Sequence, residues 1–169
     1  MFKRILVPTD GSARAEHSAL AAIELAKFLD ASVVALYVYP PLHIYPTEPF
    51  VATPELISAE AYAKVQQKAA KRYLGAIVKA AEAAGVPCTP LGIEHDSPAA
   101  AIVETASAAD APCDLIFIGS HGRGVVSQFF LGSITTKVQA SCDIPVLVYR
   151  DPAQRKAQPK TKAAKKSAS

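Results

Sequence analysis

The sequence predicts a doubly wound α/β domain, with five strands in one parallel sheet and helices on both faces. Three observations predict it. Short apolar runs alternate with stretches of three- and four-residue apolar spacing in the order β-α-β-α-β-α-β-α-β, which demands parallel strands joined by right-handed crossovers. The run from Ser32 to Tyr39 is apolar on both faces and β-branched, as in a strand covered by helices on each side. The 169 residues, 50% hydrophobic and 20% charged, suffice for one self-supporting core, and no apolar run approaches the ~20 residues of a membrane span.

The first strand is read over Phe2 to Val7, running into the turn Pro8-Thr9-Asp10-Gly11-Ser12. Ala15, Ala19, Ala22, Ile23, Ala26 and Leu29 recur on one face of a helix over 13–29, with Asp30 at its stop. The second strand is Ser32 to Tyr39. Prolines 40, 41, 46, 49 and 54 forbid regular structure over 40–54. Thr53-Pro54-Glu55 then reads as cap, first-turn proline and acid, predicting a helix from there to about Ala84, where Gly85-Val86-Pro87 ends it. Cys88 to Glu94 is a short strand, and Ser97-Pro98 opens a helix over 99 to about 109. Asp114 to Ile118 is the fourth strand, Gly132-Ser133 opens a helix to about Ala140, and Ile144 to Tyr149 is the fifth strand.

Charge divides the chain. Residues 150–169 hold Arg150, Arg155, Lys156, Lys160, Lys162, Lys165 and Lys166 against Asp151, a net +6, which leaves −3 for residues 1–149. The segment 151–169 lacks apolar periodicity and is read as a disordered basic tail behind a domain of residues 1–150. The −3 body and the lack of interleaved aromatics point away from nucleic acid as a partner. The N-terminus lacks a signal-peptide core and cleavage site, so the expected compartment is the cytoplasm. Cys88, Cys113 and Cys142 fit neither a disulfide framework nor a CxxC pattern and read as small core residues.

In a doubly wound sheet ligands bind beyond the carboxyl ends of the strands, where neighbouring connections leave for opposite faces. The segment after the fourth strand has glycines at 119, 122, 124 and 132 and hydroxyls at 120, 133, 135 and 136, and it empties into a helix N-terminus. Glycines let amides approach an anion, and a helix start favours negative charge. Arg123 adds a cation. The P-loop pattern is absent, since Val125 follows Gly124, and the dinucleotide fingerprint fails at Ser127. A phosphate cradle or a glycine-rich structural turn both remain open on spacing alone.

The spacing Gly119-x-x-Gly122, nine residues, then Gly132-Ser133 is similar to the ATP-binding motif of the universal stress protein family, G-x2-G-x9-G-[ST]. Ile5 to Ser12 resembles the family's opening and Ile144 to Val148 its closing strand. The resemblance covers about residues 1–150. It implies the strand order 3-2-1-4-5, an adenine nucleotide alpha hydrolase-like arrangement, with ATP between the ends of strands 1 and 4. It implies that Asp10 contacts adenine or ribose, that Pro8 and Thr9 shape that wall, and that Val38 packs on the base. Gly119, Ser120, His121, Gly122, Arg123, Gly124 and Val125 match the loop around ribose and phosphates; Gly132, Ser133, Ile134 and Thr135 match the helix start that closes on them. It further implies ATP, or ADP or AMP, with Mg or Mn held through the phosphates, and a homodimer through Ile144 to Val148. One departure stands out. The family commonly has G-x-P before the helix that Ser97-Pro98 opens here, where this chain has Asp96-Ser97-Pro98; Asp tolerates positive φ better than most residues.

Asp10 reads as a nucleotide contact, a metal ligand or the cap of the first helix. His121 is a phosphate contact, an acid-base group or a solvated turn residue. His95-Asp96 reads as a strand end rather than a dyad, because sequence neighbours on a strand point apart. Tyr37, Tyr39 and Tyr45 either line the pocket or belong to the core. Neither the glycine loop nor its helix start contains an acid to orient water, so hydrolysis is expected to be slow at most. The function expected is an ATP-binding, nucleotide-dependent regulator in the stress response. A nucleotide hydrolase or transferase and a dimeric scaffold without nucleotide are the alternatives.

Overall fold

The computed structural model describes residues 1–42, 58–120 and 131–151. Its elements are β1 (Arg4–Thr9), α1 (Ala13–Leu29), β2 (Ser32–Tyr39), α2 (Ala59–Ala84), β3 (Cys88–Glu94), α3 (Pro98–Ala106), β4 (Leu115–Gly119), α4 (Ser133–Ser141) and β5 (Val146–Tyr149). All neighbouring strands pair in parallel in the order β3-β2-β1-β4-β5. The doubly wound architecture and the strand order are therefore as expected.

Two apolar layers hold the sheet. On one face α1 and α2 bury Ala19, Ala22, Ile23, Leu74 and Ile77 against Ile5, Val7 and Val33. On the other, α3 and α4 bury Ile102, Ala106 and Val138 against Leu6, Leu36 and Ile116. Residues alternate between layers along each strand, so β1 and β2 need apolar side chains at every central position. Burying one such Leu or Ile is worth roughly 1.5–3 kcal/mol.

Serine caps start three of the helices: Ser12, Ser58 and Ser97 accept the amides of Ala15, Ala61 and Ala100. Ser58 is extended at φ −62° and ψ 149°, so it, and not Thr53, starts α2. Residues 53–57 lie outside the described segments. Further boundaries move by a few residues. β1 runs on through Pro8 and Thr9 because both stay in register with Leu36 and Tyr37. α3 stops at Ala106, whose carbonyl accepts the Cys113 amide at 2.8 Å, three residues before the expected end. β5 starts at Val146, not Ile144.

Pro8 also explains where the sheet opens. The Lys3 carbonyl accepts Ser32 N–H on the β2 side and the Arg4 carbonyl accepts Asp114 N–H on the β4 side. Alternation therefore turns Ile5 and Val7 toward β2, and Leu6 and Pro8 toward β4. β1 pairs with β2 along its whole length but with β4 at Ile5 and Leu6 alone. The next donor on the β4 edge would be Pro8, which has no N–H. The ladder ends there, and the crevice begins.

Candidate functional site

A cleft of about 130 Å³ occupies that crevice. Pro8, Thr9 and Asp10 from the end of β1 form one wall, with Ala15 from the first turn of α1. Leu36 and Val38 of β2 with Pro98 and Ile102 of α3 form an apolar wall, and Ile118 and Gly119 of β4 with Ile134 and Thr135 of α4 close the far side. Apolar atoms dominate the lining, which suits a flat, weakly polar group.

The turn at the end of β1 is held by its own side chains. Thr9 Oγ1 accepts Gly11 N–H at 3.1 Å, Asp10 Oδ1 accepts Ser12 N–H at 2.9 Å, and Ser12 Oγ accepts Ala15 N–H at 3.2 Å. The cap of α1 is thus Ser12, and Asp10 shapes the turn before it while bordering the cleft. Gly11 takes φ +76°, a conformation glycine adopts without strain.

The opposite rim is stitched as tightly. Ser120 N–H donates to the Tyr149 carbonyl at 2.8 Å, Gly132 N–H donates to the Ser120 carbonyl at 2.8 Å, and the Thr135 hydroxyl donates to the Gly119 carbonyl at 3.0 Å. These bonds carry the start of α4 back onto the end of β4. Its N-cap is Gly132, which has no side chain to satisfy the first amides. The first helical bond runs from Thr136 N–H to the Gly132 carbonyl, and the Ser133, Ile134 and Thr135 amides have no partner among the described residues. Three unbonded amides at the positive end of a helix make a seat for an anion.

Of the residues singled out in the sequence, Pro8, Thr9, Asp10, Val38, Gly119, Ile134 and Thr135 converge on the cleft. Ser120, Gly132 and Ser133 stand at its α4 rim without lining it. His121, Gly122, Arg123, Gly124 and Val125 lie outside the described residues, as does Tyr45. Tyr37 is core: it is 8% exposed and its ring lies 5.2 Å from Tyr73 and 6.2 Å from Tyr39. Asp96 does not use a positive φ; Asp30, at φ 53°, is the one non-glycine residue that does among those described. Ala15, Leu36, Pro98, Ile102 and Ile118 were missed, since an apolar side chain at a strand end or helix face looks in sequence like any core residue. No group of three or more His, Cys, Asp or Glu side chains placed to hold a metal occurs among the described residues, and none of the described helices is long and apolar enough to cross a membrane.

The sequence profile of the universal stress protein family matches residues 1–150. The chain is 34% identical over 152 residues to the universal stress protein MJ0531 of Methanocaldococcus jannaschii, covering 90% of this chain and 84% of that protein. It is 34% identical over 150 residues to a universal stress protein of Thermus aquaticus, covering 89% and 100%. The structure of protein MJ0577 superposes with a TM-score of 0.68 at 28% identity, covering 89% of this chain and 97% of that one. Two structures at 21% identity share the fold: a universal stress protein in complex with cAMP, TM-score 0.62, covering 88% and 97%, and one from Archaeoglobus fulgidus in complex with dAMP, TM-score 0.58, covering 89% and 98%. By profile, sequence and fold together, this chain belongs to the universal stress protein family.

Proposed function

We propose that this chain binds an adenine nucleotide, ATP foremost, and acts as a nucleotide-dependent regulator whose turnover is slow at most. The observation that carries the reading is the pairing of an apolar cleft at the β1–β4 crevice with the amides at the start of α4 that have no partner among the described residues. A base fits the first and a phosphate the second, as in other doubly wound nucleotide sites. Relatives of the same fold hold cAMP and dAMP, both adenine nucleotides. Val38 and Ile102 would pack on the base, Asp10 would face adenine or ribose, and the Gly119 to Val125 segment with Gly132 to Thr135 would surround the phosphates. Mg or Mn would be held through those phosphates.

A homodimer through the sheet edge completes the proposal. β5 is the outermost strand, and its Leu147 is 37% exposed. Self-pairing would remove an apolar edge that is otherwise a liability. Light scattering tests this: wild type runs at twice the chain mass, and Leu147→Glu lowers it.

Denaturing purified, unsupplemented protein and identifying the released nucleotide by chromatography and mass tests the binding reading. Near-stoichiometric adenine nucleotide, lost in Gly122→Ala/Gly132→Ala, is the expected result. A protein that is empty and also fails to bind added ATP would leave the dimeric scaffold as the better account.

A further inference from the structure

We propose that the outer face of α2 docks nucleic acid, gripping the phosphate backbone without reading its sequence. The net −3 of residues 1–149 points away from such a partner, but that charge is not evenly spread. Lys64, Lys68, Lys71, Arg72 and Lys79 fall within an arc of about 100° of one helix and span roughly 22 Å along it. All five are exposed, and none forms an ion pair among the described residues. The acids of α2, Glu60 and Glu82, lie beyond the two ends of the stripe.

Gly75 sits in the middle of this arc. A Cβ there would meet nothing within 4 Å, so neither packing nor a positive φ asks for glycine, although glycine within a helix is destabilising relative to alanine. Its absence of a side chain leaves a notch between Lys71 and Lys79 where a partner's backbone can come close.

The chemistry of the face selects the occupant. Insertion into a lipid surface needs large apolar side chains beside the cations. Here Leu74 and Ile77 are buried against the sheet, and Val65 is the one large apolar side chain of α2 that is exposed among the described residues. A protein interface centres on apolar or aromatic anchors and is poor in lysine. A row of cations without an ion pair among the described residues, of which Arg72 alone lies over an aromatic ring, that of Tyr73 at 6.0 Å, and with no such anchor, is what a phosphate backbone requires. Residues 152–169 add six further cations to the chain, so binding by the α2 face has to be separated from binding by that segment.

Fluorescence anisotropy of a short mixed-sequence DNA duplex with the full chain, between about 50 and 200 mM salt, tests the proposal independently of the nucleotide site. Lys64→Gln/Lys68→Gln/Lys71→Gln is expected to lower the log–log salt slope by about 3 and to weaken low-salt affinity at least roughly tenfold. Gly75→Glu, which puts a carboxylate in the notch, is expected to weaken binding with circular dichroism unchanged. Lys137→Gln, in the opposite layer, should change neither. Truncation after Asp151 should weaken binding yet preserve the difference between wild type and the triple variant. Three results would overturn it: no binding by wild type, full affinity in the folded triple variant (binding then belongs to 152–169), or lysine-dependent binding to anionic lipid vesicles or polyglutamate without binding to DNA.

Discussion

The Thr135 hydroxyl donates to the Gly119 carbonyl at 3.0 Å, and Thr135 is only 3% exposed. With the Gly132 N–H bond to the Ser120 carbonyl, this bond holds the first turn of α4 against the last residue of β4, and so sets the direction of the three amides that have no partner among the described residues. Thr135→Val keeps the volume and removes the donor. The Gly119 carbonyl then loses a partner in a mostly dry place, for an expected loss of about 1–2 kcal/mol in urea unfolding. Thr135→Ser should retain most of the stability. Nucleotide affinity should fall in Val and recover in Ser.

Gly11 packs under the ring of Tyr73. A Cβ on Gly11 would lie 2.5 to 2.6 Å from three ring atoms of Tyr73, whose ring in turn packs against Tyr37 at 5.2 Å between centroids. Gly11→Ala therefore meets both a positive φ and a clash, and should cost at least about 2 kcal/mol. Tyr73→Leu opens the space and relieves the clash but not the φ. The double variant is expected to lose less than the two singles together, by more than about 0.5 kcal/mol in a double-mutant cycle.

These contacts mark how far the sequence could be read. β2 was legible to the residue because Val33 to Tyr37 are apolar on both faces, and α1 because its apolar spacing and Asp30 stop agree. The motif residues at both rims of the cleft were legible from spacing and from the family resemblance. Pro8 misled, because a proline normally ends a strand, yet here its missing N–H lies on the one edge where pairing stops. Thr53-Pro54-Glu55 carried the cap, proline and acid signal in sequence, yet the cap of α2 is Ser58. The apolar wall of Leu36, Pro98, Ile102 and Ile118 depends on four elements meeting, which no single segment encodes. The cationic arc of α2 vanished in a charge sum over residues 1–149.

Burial raises the Cys113 thiol above its ordinary value of 9.0, offset in part by the nearby Arg4, and burial likewise raises Cys88. Both are thiols at neutral pH and should react slowly with iodoacetamide. A raised folded-state value means the folded protein holds these protons longer than the unfolded chain. Their contribution is full below 9.0 and falls as pH rises past it toward the folded-state value. Urea unfolding should show a smaller alkaline loss of stability in Cys113→Ala than in wild type.

His95 is a structural acceptor at the start of α3. Ser97 N–H donates to its Nδ1 at 2.9 Å, and its Nε2 faces Glu104 Oε2 at 3.7 Å. The neutral ring must therefore carry its proton on Nε2. Nitrogen NMR of labelled protein at mildly alkaline pH should show that tautomer. His95→Ala should cost about 1 kcal/mol by freeing the Ser97 amide, with the Pro98 wall of the cleft loosened as a result.

Gly75 separates what the fold needs from what a partner would need. Its backbone has no positive φ and a methyl group would touch nothing within 4 Å, so Gly75→Ala meets neither strain nor a clash. Alanine lowers the entropy of the unfolded chain and favours the helix, and the variant should be more stable than wild type by about 0.5–1 kcal/mol. A thermal melt checks this directly. A rise in Tm shows that glycine at this position is dispensable for folding, which is the condition the α2 docking proposal places on it. A fall would mean that Gly75 serves the packing of α2, and the notch would then have a structural cause.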